Sequence, residues 1–132
     1  MEITVSQGIA EALPAEDGEF DVAVASLVLC SLDDQTAALS EITRVLRPGG
    51  ELRFYEHVIS NHPAAARIQR ALDATIYPPL AGGCHCARDT DSAIRNAGFL
   101  IEREQRIAFK PSPAMPAIPH ILGAARAAQA TA

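Results

Sequence analysis

Between Phe20 and Leu32 the chain is almost unbroken in apolar character. The continuous run Val22–Val28 predicts a strand covered on both faces within a parallel sheet. The period then changes. Asp33 or Asp34 can cap a helix whose apolar residues Ala38, Leu39, Ile42, Val45 and Leu46 share one stripe, with Glu41 and Arg44 off it. That helix should run to about Leu46 and stop at Pro48-Gly49-Gly50, where proline bars continuation and glycine accepts a left-handed turn. Glu51–Val58 reads as the next strand. Strand, helix and strand in this order predict a crossover between parallel neighbours.

The flanks are patterned more weakly. Met1–Val5 alternates through Ile3 and Val5, which suits a short strand. Gln7–Pro14 reads as a loop or a single helical turn, and Ala15–Glu19 as a polar turn punctuated by Gly18. Pro63–Thr75 is helical in composition, with Pro63 where a first turn tolerates it. Tyr77–Arg88 holds Pro78-Pro79 and Gly82-Gly83 and reads as a loop or lid. Thr90 can cap a short helix, Asp91–Ala97, ended by Gly98. Phe99–Ala108 alternates as a strand through Phe99, Ile101 and Ile107. Lys110–Pro119 is a proline-rich connector, His120–Arg126 a final strand, and Ala127–Ala132 a frayed tail. There is no internal repeat.

Composition sets the scale. At 132 residues and 48% hydrophobic, the chain can build one core and is too short for two ordinary domains. A net charge of −5 with scattered arginines disfavours a nucleic-acid partner. The longest apolar stretch is too short to cross a bilayer, and the start lacks the pattern of a signal peptide. Cys30, Cys84 and Cys86 form an odd set, for which a reducing cytoplasm is the simplest compartment.

Several segments, in order, carry a family resemblance. They are Gly8-Ile9-Ala10-Glu11-Ala12-Leu13-Pro14, Phe20-Asp21 through Cys30-Ser31, and Arg44-Val45-Leu46-Arg47-Pro48-Gly49-Gly50. Glu56-His57-Val58, Gly83-Cys84-His85 with Arg88-Asp89-Thr90, and Ala97-Gly98-Phe99 come after them. Together they resemble the class I S-adenosylmethionine-dependent methyltransferases, and within them the small-molecule branch that includes the methyltransferase-like thiol methyltransferases. The resemblance covers the later part of that fold. The family's opening strand, its G-x-G-x-G loop and the acidic end of its second strand have no counterpart before Gly8. The implied fold is α/β: an incomplete Rossmann-like methyltransferase fold, a mostly parallel sheet with flanking helices lacking the first two strands. Residues 1–132 would then be a single, N-terminally truncated domain.

The resemblance implies S-adenosylmethionine as cofactor, with Ala10 and Glu11 flanking its adenine and Ser26 and Leu27 lining its methionine and methyl end. Ser26 and Leu27 also fall at the carboxyl end of a parallel strand, where open α/β sheets place ligands. Glu56 and His57 end the neighbouring strand on the same rim. His57 is a candidate base, being of the residue type that titrates nearest neutrality, although methyl transfer from a sulfonium depends mainly on in-line positioning. The implied activity is transfer of a methyl group to a small-molecule nucleophile, a thiol, hydroxyl or amine. The alternative is a catalytically silent fragment acting by association. A nicotinamide-binding domain is disfavoured, because G-x-G-x-x-G is also absent. Cys84-His85-Cys86 lacks the spacing of a closed zinc site, so no metal is expected. In the family sheet the missing first strand lies against Val22–Val28. That strand should therefore have an open apolar edge, to be re-paired within the chain or covered by a second copy or an N-terminal partner.

Overall fold

The computed structural model describes residues 1–80, 83–110, 112–114 and 117–129. Strand β1 (Phe20–Ser26), helix α1 (Gln35–Val45) and strand β2 (Leu46–His57) form the expected crossover. Asp34 caps α1, its carboxylate accepting the Ala37 N–H at 2.9 Å, and the Leu46 N–H closes the last turn onto Ile42. β1 and β2 are parallel, with Val22 opposite Glu51 and Ser26 opposite Tyr55. The Pro-Gly-Gly segment does not separate helix from strand. β2 already begins at Leu46, and the register slips between Phe20 and Val22, so residues 47–50 bulge from the ladder. Gly49 makes this possible with φ 75°, and its N–H reaches the Ala128 carbonyl at 3.2 Å.

Helices α2 (Pro63–Asp73), α3 (Tyr77–Leu80) and α4 (Thr90–Asn96) and strands β3 (Leu100–Phe109) and β4 (Ile118–Arg126) complete the chain. The sheet order is β1-β2-β4-β3, with β4 antiparallel to both of its neighbours. The sheet is thus mixed rather than mostly parallel. The short β3–β4 connection has no room for a crossover, so β4 turns back on β3 and slots beside β2. The core lies on one face. Ala25, Leu52, Phe54, Ile121 and Ala125 from the sheet pack with Leu39 of α1 and Ile94 of α4, and the Gln35 amide bonds the buried Thr90 hydroxyl at 2.8 Å to tie those two helices.

The structure corrects several expectations. β1 is covered on one face only: Ala25 is 5% exposed, but Val22 is 46% and Val24 74% exposed. A continuous apolar run signals two covers without saying that both come from the same stretch of chain. Among the described residues β1 pairs with β2 alone, so its other edge is open. Met1–Val5 is exposed and forms no strand, since alternation makes a strand only where a ladder accepts it. The cap of α4 is Asp89, which accepts the Ser92 N–H at 3.1 Å. Thr90, expected as the cap, is buried inside the helix. Pro78 and Pro79 sit in the helical turn α3 rather than in open loop, because a first turn needs no proline N–H. Residues 81 and 82 of that segment, residues 111, 115 and 116 of the connector and residues 130–132 of the tail lie outside the described residues. Ala127, expected in that tail, is buried, and its N–H bonds Gly50 O at 2.8 Å. No helix among the described residues is long and apolar enough to cross a membrane.

Candidate functional site

The carboxyl ends of β1 and β2 are built around a buried acid. Glu56 is fully buried, and its Oε1 accepts the N–H groups of Val28 and Leu29, each at 3.2 Å. Its Oε2 accepts the Cys30 N–H at 3.3 Å. These three amides open the short 3₁₀ turn Leu29–Ser31, whose N-terminal donors have no partner of their own. Burial pushes the Glu56 carboxyl up to about 7, against the pull of those amides. On the other side the Arg88 guanidinium donates to Leu29 O at 2.7 Å. The loop leaving β1 is therefore clamped from two directions. It turns at Leu27, which has φ 54° and donates its N–H to Tyr55 O at 2.7 Å. A left-handed leucine costs roughly 1–2 kcal/mol, which the clamp must hold in place.

Against this loop lies a cavity of about 320 Å³ lined by Leu27, Cys30, Ser31, His57, Tyr77, Cys84, Phe109, Ile118 and His120. His57 is its polar centre. The ring stacks on His120 with centroids 5.0 Å apart and meets Tyr77 edge-on at 5.8 Å. His57 Nδ1 lies 3.4 Å from the Tyr77 hydroxyl and 3.7 Å from Cys84 Sγ. Burial and then the neighbouring His120 pull the His57 imidazole down to about 4, so it is neutral at pH 7. His120 stacks in turn on Tyr55, and its Nδ1–H donates to Ile118 O at 3.0 Å. Burial raises the Tyr77 phenol as well, so this tyrosine keeps its proton. The arrangement offers a neutral acceptor nitrogen and a hydroxyl inside a mostly apolar enclosure.

Of the five residues singled out from sequence, Leu27 and His57 line this cavity. Ser26 is exposed at the end of β1 and is not among the lining residues. Ala10 and Glu11 lie on the turn closed by the Ala12 N–H to Ile9 O at 3.1 Å. Helix α1 fastens the segment after that turn: Glu41 accepts the Leu13 N–H at 2.9 Å, and Arg44 donates to Leu13 O, Ala15 O and Asp17. Cys84 and Cys86 part company, the first turning to Cys30 and the second donating to Gln69 O. Among the described residues no group of three or more His, Cys, Asp or Glu side chains could hold a metal ion. Sequence reasoning missed Glu56 as a clamp and Tyr77, Cys30 and His120 as cavity walls. An acid on the inward period of β2 was the available signal for Glu56, because a carboxylate buried there needs several donors.

Known proteins share this sequence pattern and this fold. Residues 1–54 match the methyltransferase domain family model. The chain is 39% identical over 112 residues to the thiol S-methyltransferase TMT1B of Rattus norvegicus, covering 83% of this chain and 44% of that protein. It therefore spans less than half the length of that relative. Among solved structures, a SAM-dependent methyltransferase from Methanosarcina mazei superimposes with TM-score 0.68 at 17% identity over 93% of this chain and 66% of that one. The [4+2]-cyclase SpnF gives 0.71 at 22% identity over 95% and 56%. At such identities these two likenesses bear on fold alone.

Proposed function

Because the chain belongs to the class I S-adenosylmethionine-dependent methyltransferases and carries the later part of their fold, we propose that it serves methyl transfer to the thiol of a small, largely apolar molecule. S-adenosylmethionine is the cofactor of the family, and when bound it supplies an electrophilic methyl group on a sulfonium. The observation that carries this reading is the apolar cavity against the exit of β1, with neutral His57 at its centre.

The residues present fit one wall of a cofactor site. At the end of β1 the rim is open: Ser26 is exposed, and the left-handed turn at Leu27 carries the chain out of the ladder. Ser26 and Leu27 would line the methionine end, and Ala10 and Glu11 the adenine. The glycine-rich loop of the family is absent from this sequence. The reading includes a second copy or an N-terminal partner at the open edge of β1, which would complete the other wall. A reducing compartment, the cytoplasm, belongs to the same reading and rests on the three free thiols.

Within the cavity this chain's own side chains orient the acceptor. His57 Nδ1 accepts a hydrogen bond from the entering S–H and aims the sulfur. Its low basicity makes it a positioning group rather than a store for the proton. Leu27, Phe109 and Ile118 give the acceptor an apolar wall, which favours a nucleophile held at one distance.

The test is transfer from methyl-labelled S-adenosylmethionine to a short alkanethiol, with isothermal titration of S-adenosylhomocysteine on the same preparation. Saturable binding together with thioether formation is the expected result. A demonstrably folded chain that binds and transfers nothing, alone and after addition of the N-terminal half of a relative, overturns it.

A further inference from the structure

We propose that Cys30 and Cys84 are a reversible dithiol–disulfide pair, closed by exchange with a low-molecular-weight disulfide that enters the cavity they both line. The proposal concerns chemistry of the protein's own thiols and does not depend on methyl transfer.

Geometry selects this pair from the three cysteines. Cys84 Sγ donates to Cys30 Sγ at 3.3 Å. A disulfide has its sulfurs about 2 Å apart, so closure needs a movement of only about 1 Å. The two backbones are adjacent, since the His85 N–H bonds Cys30 O at 2.7 Å. Cys86 is turned away, its sulfur donating to Gln69 O at 3.3 Å. The roles of the two sulfurs differ. The S–H of Cys84 pointing at Cys30, with the Ser31 hydroxyl beside it, lowers the Cys30 thiol below its ordinary range, while the same contact and burial raise Cys84. Cys30 is therefore the attacking sulfur and Cys84 the resolving one.

The Cys30 thiolate attacks one sulfur of the small disulfide, forming a mixed disulfide and expelling the first small thiolate. Cys84 then attacks the Cys30 sulfur and expels the second small thiolate, which takes up the Cys84 proton. Two protein thiols are oxidised and one small disulfide is reduced to two thiols. The new bond pins the segment around Cys84 to the loop leaving β1.

The experiment uses the reduced chain, freed of reductant under chelator, and hydroxyethyl disulfide as the probe. The reaction is quenched in denaturant with N-ethylmaleimide and read by intact mass and peptide mapping. The expected result is a product lighter by two hydrogens, one maleimide on Cys86, a Cys30–Cys84 cross-linked peptide, an upward shift in thermal midpoint, and reversal by dithiothreitol. C84S should stop at the mixed disulfide on Cys30. A wild-type chain, folded by circular dichroism, that takes three maleimides, keeps the small thiol on Cys30, or maps its bond to Cys86 overturns the proposal. So does a C84S variant that still closes an internal disulfide.

Discussion

The Glu56 carboxylate accepts the N–H of Leu29 at 3.2 Å from inside the core, so the end of β2 holds the loop that leaves β1. Two more amides, of Val28 and Cys30, share the same acid. E56A leaves three donors unpaired, two of them buried, and should cost on the order of 3 kcal/mol in chemical denaturation. E56Q keeps two of the bonds but sets an NH₂ against the Cys30 N–H, and should fall between wild type and E56A.

The pH dependence of stability is a separate check. Glu56 holds its proton up to about 7 when folded, so its contribution is present at low pH and lost as pH rises from 4.5 through 7. His57 is neutral down to about 4, so its contribution is present above 6.5 and lost as pH falls through 4. Between 4.5 and 6.5 the two slopes oppose each other, each at most about 1.4 kcal/mol per pH unit. E56Q should remove one of them. Denaturation of that variant should show stability falling on acidification across this window, where wild type is flatter.

A neutral His57 also fixes the shape of the rate profile. Its titration near 4 lies well below the working range, so His57 should add no inflection to the pH dependence of thiol methylation between 5 and 8. Replacing His57 with Asn should raise KM for the thiol more than it lowers kcat. A profile with an inflection near 6.5 that vanishes in H57N points instead to a general base.

Leu27 can be tested through its backbone. Asparagine tolerates a left-handed conformation and valine does not, so L27V should lose about 1–2 kcal/mol while L27N stays near wild type in thermal unfolding. Both variants change the cavity wall, and L27N, being polar, should bind an alkanethiol more weakly.

Val24 is 74% exposed on the uncovered face of the edge strand. V24K should change stability by no more than about 0.5 kcal/mol, as expected at a surface position. It should also shift any concentration-dependent association toward monomer in sedimentation velocity, since a charge on an edge strand opposes pairing.

The β1–α1–β2 crossover was legible because each of its signals is local: an apolar run, a cap at Asp34 and a stripe ending in Val45 and Leu46. The features that escaped depend on partners distant in sequence. Val22 and Val24 are as apolar as a doubly covered strand requires, and nothing in the run says where the second cover comes from. Glu56 reads as one more polar residue at a strand end until the amides of residues 28–30 are seen around it. Likewise Leu27 and His57 were visible as rim residues, but Tyr77 and His120 come to the same cavity from segments 20 and 63 residues away from His57. Ala10 and Glu11 remain an expectation carried by family resemblance, to be tested by binding.

The position of β4 has a consequence for how the protein is made. It comes after β3 in sequence yet lies inside it, paired on one side with β2 and on the other with β3. As the chain emerges from the ribosome, β2 and β3 have nothing to pair with on these sides until residues 118–126 appear. Assembly of the sheet therefore waits on its last strand, and a nascent chain stalled short of Arg126 should present those ladders to chaperones and proteases.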